Sequence, residues 1–244
     1  MLAIFKREIQ SFFSSPIGYL VIGLFLLLNG LFLWFLKGPF NIFDYGFADL
    51  SNLFLLAPWV FLFLLPAITM KSFSEEKKMG TLELLVIKPI SLWQLVWGKF
   101  LGSFAVALIA LIPTLLYVYT VYTLGTTVGN LDMGLVWGSY FGILFLIACY
   151  TAIGLFASTL SENQIIAFIS ALALCFLLYY GFDALSMSIA DGSFSILIRN
   201  IGMKAHFENS ALGILDTRDL IYFISLVLFF LYLTVQQLKN GNRT

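Results

Sequence analysis

Lys71, Glu75, Glu76, Lys77, Lys78, Glu83 and Lys88 crowd one stretch, Met70 to Ser91, which reads MKSFSEEKKMGTLELLVIKPIS. The whole chain is 61% hydrophobic and only 11% charged, so this is its most charged segment by far. Side chains of this kind cannot sit in hydrocarbon, which places the segment in water between two membrane spans. The chemistry they offer is charge pairing with a partner surface. Ser72 with Glu75 has the spacing of a capping box, and so does Ser91 with Gln94. Gly80 breaks the first helical run, and Thr81 can cap a second in which Leu82, Leu85 and Val86 share a face. The pattern fits a short helix presented to a cytoplasmic partner. It fits a solvated loop with ordinary caps equally well.

Bond-making chemistry is poorly supported by the sequence. There is no GxSxG elbow and no HExxH, and His206 is the single histidine. His206 and Glu208 read as a surface pair. A paired-glutamate protease would need Glu75 and Glu76 inside the membrane, with histidines on later spans. No GxxxxGK[ST] loop exists to cradle a nucleotide; Gly98-Lys99 lacks the upstream glycine and the following hydroxyl. The chain is therefore expected to be no enzyme, with no catalytic residue, cofactor or metal of its own and its energy supplied by another polypeptide. Cys149 and Cys175 lie in apolar runs and read as small core residues. Asn29, and Asp183 near an outer end, are too few buried polar groups for an ion-coupled carrier. The net charge of +0 argues against a nucleic-acid partner.

The elements that must position the charged stretch follow from hydropathy. About 20 apolar residues cross the hydrocarbon core. The sequence predicts an all-α, polytopic membrane protein forming one domain over 1–244. An amphipathic interfacial helix fills 1–16, with Ile4, Phe5, Ile9, Phe12 and Phe13 able to gather on one side, and Pro16 ends it. Spans are expected at 17–36, 52–69, 91–124, 135–160, 163–186 and 220–238. The charged segment, 70–90, separates the second and third spans, and an external segment is 187–219. The apolar run after Lys6 and Arg7 is too long for a signal peptide, and it reads as a retained span. The third span is longer than a bilayer needs, so Lys99 near its start is expected to snorkel, with Trp93 and Trp97 at headgroup level. Ser161, Glu162, Asn163 and Gln164 form a tight polar turn with a capping box.

Six spans put both termini on one side. That side collects Lys6, Arg7, Lys71, Lys77, Lys78, Lys88, Lys99, Lys239 and Arg243, nine of the 13 Lys and Arg residues. Lys37, Arg199, Lys204 and Arg218 fall on the other. The excess predicts both termini in the cytoplasm. Gly98 and Gly102 form one GxxxG, and Gly134, Gly138 and Gly142 form two more. Packing within the chain is favoured over a dimer seam.

The run SEEKKMGTLELLVIKPIS followed by WQLVWGKFLG resembles the signature of ABC-2 type exporter permeases. KREIQSFFSSPIGYL, YTAIGLFASTLSENQIIAF and HFENSALGILDTRDLIYF extend the likeness over nearly the whole chain. Within that superfamily it is most similar to the gliding-motility group, GldF. The resemblance implies a type V (ABC-2) exporter transmembrane domain with a coupling helix that docks on an ATPase. Carried over, the docking residues are Glu75, Glu76, Lys77, Lys78, Gly80, Thr81, Leu82, Glu83, Leu84 and Leu85, with Ser161, Glu162 and Asn163 as a second contact. The implied partners are a cytoplasmic GldA-like ABC ATPase, which would hold ATP and Mg, and a GldG-like membrane subunit or a second copy of this chain. The implied home is the bilayer of the bacterial inner membrane. Short helices within 196–215 would close the path externally. A membrane scaffold that recruits motility or secretion proteins without transport is the alternative.

Overall fold

The structure is a computed structural model that describes residues 1–45, 49–81, 90–125, 127–189, 192–214 and 216–241. The chain is 83% helical, and no strand occurs among the described residues. Among the described residues, six helices are long and apolar enough to cross a membrane: Gly18–Phe35, Ser51–Lys78, Leu92–Leu124, Met133–Ser158, Gln164–Met187 and Thr217–Asn240.

Helix α1 (Leu2–Phe13) is amphipathic and turns Ile4 and Glu8 inward. Pro16 opens α2 (Pro16–Gly30), where its missing N–H costs nothing. A wider π-type turn at Leu31–Phe35 completes the first span. A short helix, α3 (Ile42–Tyr45), follows. The second span is α4 (Ser51–Thr69), and α5 (Lys71–Lys78) continues it through Met70, whose backbone stays helical. The third span joins α6 (Leu92–Leu111) to α7 (Leu115–Leu124) through one tight turn at Pro113. Then come α8 (Met133–Ser158), and α9 (Gln164–Phe176) with α10 (Phe182–Met187) making the fifth span. Two short helices, α11 (Gly192–Arg199) and α12 (Met203–Ala211), precede the last span, α13 (Thr217–Gly241).

Helix α8 is the axle. It packs against α4, α6, α9, α12 and α13. Of its most apolar window 72% is buried, against 28% for the first span and 22% for the fifth. Those two spans therefore present apolar faces outward, toward lipid in a membrane setting. Phe25, Phe54, Phe61, Tyr150 and Phe223 fill the space between spans, and Phe25 stacks on Phe61.

Helices approach closely where side chains vanish. A Cβ on Gly154 would lie 2.0 Å from Thr69 Oγ1, so α8 and α4 touch almost backbone to backbone there. A Cβ on Gly98 would meet Ile4 at 2.9 Å, and one on Gly102 would meet Glu8 at 2.6 Å. Gly138 and Gly142 receive α12 and the turn after it, through Ser210, Phe207 and Gly213. The Gly98–Gly102 and Gly138–Gly142 pairs are thus used inside the chain.

Three local expectations are corrected. Ser72 and Glu75 make no capping box, because the helix of the second span runs straight through them; Ser74 instead bonds back to the Met70 carbonyl. At the turn after α8 the cap is Asn163, whose Oδ1 accepts from Ile165 N at 2.9 Å, while Ser161 Oγ accepts from Asn163 N. Lys99 is 1% exposed at its side chain and does not snorkel. The Ser91–Gln94 box, by contrast, is fully formed.

Candidate functional site

The charged segment begins as a rigid extension of the second span. From Ser51 to Lys78 the helix is 28 residues long, roughly 42 Å at 1.5 Å per residue. This exceeds the hydrocarbon thickness, and the surplus carries the charges. Gly80 follows the helix with φ of +66°, in the left-handed region that favours glycine. Thr81 Oγ1 donates back to the Glu76 carbonyl at 3.3 Å. Leu82, Glu83, Leu84, Leu85 and Val86 lie outside the described residues.

The acidic and basic residues of α5 divide by face. Glu76 is 7% exposed and points inward. Its Oε1 accepts from Lys99 Nζ at 2.9 Å and from Arg7 Nη2 at 2.5 Å. Lys99 also donates to Glu8 Oε1 at 3.0 Å and to the Ser72 carbonyl at 2.6 Å, and its ammonium lies 5.0 Å from the Phe73 ring centroid. This saturates the three donors of the lysine and adds a cation–π contact. Glu76 Oε2 is buried with no hydrogen-bond donor. Lys77 reaches across to the Thr159 carbonyl at the end of α8. Glu75 is half-buried, whereas Lys78, Met79 and Gly80 are exposed.

One knot therefore ties four elements: α1 through Arg7 and Glu8, α5 through Glu76, the third span through Lys99, and the fourth through the Lys77 link. The glycines make it possible. With Gly98 and Gly102 on the facing surface of α6, α1 lies close enough for Glu8 to reach Lys99. Two cations and two carboxylates balance, which a buried cluster requires. Beside the knot opens a cavity of about 700 Å³, lined by Arg7, Ser11, Lys71, Glu75, Met79 and Thr81 among others. The Ser161, Glu162 and Asn163 turn begins two residues after Thr159. Both candidate contacts thus lie at the end of the bundle that holds α1.

Glu8, Arg7, Lys99 and Thr159 were not singled out as site residues by sequence. Lys99 carried the usable signal: an ionisable group inside an apolar helix calls for a partner facing the interior.

At the opposite end, His206 does not pair with Glu208. Its Nδ1 lies 2.5 Å from Asp219 Oδ1 and its Nε2 2.8 Å from the Asn200 carbonyl. Glu208 accepts from Arg199 at 2.7 Å, and Lys204 donates to Asp183 Oδ2 at 2.5 Å. Burial pulls Lys204 down, but Asp183 and Glu208 outweigh it and hold its ammonium above the ordinary 10.5. Among the described residues no cluster of metal-ligating side chains occurs.

The family model described as ABC-2 family transporter protein matches residues 2–234. The chain belongs to the ABC-2 transporter family. It is accordingly a multi-pass membrane permease subunit of an ABC transporter, and membership implies an ATPase partner subunit. No curated protein matches the chain.

Proposed function

We propose that this ABC-2 permease takes its stroke from the ATPase at the segment 70–90, and that the Lys99 knot carries the stroke into the bundle. The supporting observation is that Glu76 shares one carboxylate oxygen between Arg7 of α1 and Lys99 of the third span, from a helix continuous with the second. A push on the tip of this rod moves three elements together. Lys77 passes it to the fourth, the axle. The two packings that alternating access needs are then biased from one point.

On this reading the docking residues divide their work. Glu75, Lys78, Gly80 and Thr81, with Leu82, Glu83, Leu84 and Leu85 beyond them, meet the ATPase. Glu76 and Lys77 transmit. Ser161, Glu162 and Asn163 give the second contact. Both termini lie in the cytoplasm of a bacterium, in its inner membrane. The partners are a GldA-like ATPase, which binds ATP and Mg, and a GldG-like or identical second membrane subunit. The complex exports a substrate or does mechanical work at the envelope, linked to gliding motility. What supports the finer assignment is the likeness of the sequence taken whole to that group; the GT-L-E-LL run speaks for the superfamily.

The test is co-purification with a cytoplasmic ABC ATPase partner. Leu82→Asp and Glu83→Arg should abolish association while leaving membrane insertion intact. Lys99→Met should keep association but uncouple ATP hydrolysis from movement of the spans. Normal association and turnover in the first two variants would refute the docking assignment.

A further inference from the structure

We propose that His206 and Asp219 form a proton-dependent clamp that fastens α12 to the start of the last span. The two ring nitrogens of His206 face two oxygens, Asp219 Oδ1 at 2.5 Å and the Asn200 carbonyl at 2.8 Å. A neutral imidazole has one N–H and one lone pair, and a carbonyl only accepts. Both contacts are satisfied in two ways. An imidazolium donates to each oxygen, or a protonated Asp219 donates to Nδ1 while Nε2–H donates to Asn200. Either way the pair holds two protons. An ionised Asp219 beside a neutral His206 holds one, and then one contact sets lone pair against lone pair. Closing the clamp takes up a proton, and raising the pH releases it.

Among the described residues the surroundings give no substitute donor. Asn209 Nδ2 donates to the other oxygen of Asp219 at 3.3 Å, which fixes the carboxylate. Tyr222 of α13 stacks on the imidazole at 4.0 Å between centroids and spends its hydroxyl on the Ile201 carbonyl. From α8, Cys149 donates to the Phe223 carbonyl. From the fifth span, Asp183 is engaged by Lys204 and Arg199, and Glu208 by Arg199. Arg218 and Asp216 flank Asp219 along the chain, and Asp216 accepts from the Arg218 backbone. Asp219 is 5% exposed. The clamp is mechanically placed: α12 buries Met203 and Phe207 and rests on Gly138 and Gly142 of α8. Releasing its hold on the last span frees a block seated on the axle.

His206 is the chain's single histidine, so one ¹⁵N-histidine signal pair reports it alone if the affinity tag is free of histidine. The full chain in lipid nanodiscs would be titrated from about pH 5 to about pH 8. Hydrogen exchange of residues 203–211, corrected for its intrinsic pH dependence, would be followed in parallel. The expected result is that the pair loses its second proton as α12 protection drops roughly tenfold or more, the loss of one charged hydrogen bond. In Asp219→Asn the side-chain amide can donate to Nδ1 without an extra proton, so protection should stay high and flat with pH. In Asp219→Ala it should stay low and flat. Wild-type α12 protection indifferent to pH overturns the proposal. So does an Asp219→Asn chain that keeps the wild-type pH dependence.

Discussion

Lys99 Nζ and Glu76 Oε1 lie 2.9 Å apart, and their side chains are 1% and 9% exposed. A charge pair this deep is weak as a source of net stability but severe when half removed, because the survivor keeps its desolvation cost. Lys99→Met leaves Glu8 and Glu76 with Arg7 alone, two carboxylates to one half-exposed cation. It should cost about 3–5 kcal/mol, read as a lower melting temperature in detergent. The triple variant Lys99→Met, Glu8→Gln, Glu76→Gln should recover most of that stability. If the single and triple variants melt alike, the knot is not a coupled charge cluster.

The glycine seam between α1 and α6 gives a graded test. Gly102→Ala places a methyl 2.6 Å from Glu8 Cβ, so α1 must shift. A cost of about 1–3 kcal/mol is expected, typical of overpacking. Gly154→Ala should cost at least as much, since its Cβ would fall 2.0 Å from Thr69 Oγ1. Gly23→Ala meets nothing within 4 Å and should be neutral or slightly stabilising, because alanine favours helix. Thermal melts should place Gly154→Ala at or below Gly102→Ala and both below Gly23→Ala; equal shifts would sink the close-approach account.

The formed capping box at Ser91 predicts a local effect. Ser91→Ala removes the acceptor for Gln94 N and should cost about 1 kcal/mol. Faster amide exchange should be confined to the first turn of α6, with little change elsewhere. Exchange spread over the whole third span would mean that the cap organises more than its own turn.

These three cases also mark what the sequence could reveal. Six spans and the break at Pro16 are visible because hydropathy and proline act locally. The Ser91 box is visible for the same reason, since its partners are three residues apart. The Ser72 box fails by the same local logic: nothing near Ser72 shows that the second span stays helical through Met70, where a cap has no free N–H to satisfy. The knot was hidden because Glu8 and Lys99 are 91 positions apart, and a lone lysine at a helix start looks like one that snorkels. His206 points to Asp219 rather than Glu208 because the chain turns back between α12 and α13. Gly154 escaped notice because its contact is Thr69 of another helix, with no second glycine to mark a motif.

The Lys204–Asp183 link at the far end supplies a prediction in pH. Asp183 is 3% exposed and accepts from Lys204 at 2.5 Å, with Arg199 farther off at 3.4 Å. Burial alone would lower Lys204, but its carboxylate neighbours raise it above 10.5. A cation whose folded value is raised stabilises the fold fully below its unfolded value and loses that contribution as pH climbs through the folded value. Stability from this link should therefore be flat below pH 10.5 and fall above it. Lys204→Met should abolish that alkaline limb and cost about 1.5–3 kcal/mol at neutral pH, the range for a hydrogen bond to a charged group. Lys204→Arg should keep the link at neutral pH and carry it to higher pH, since guanidinium does not deprotonate there. Melting curves of the three chains between neutral and alkaline pH decide the matter, and an alkaline limb that survives in Lys204→Met assigns the effect to some other group.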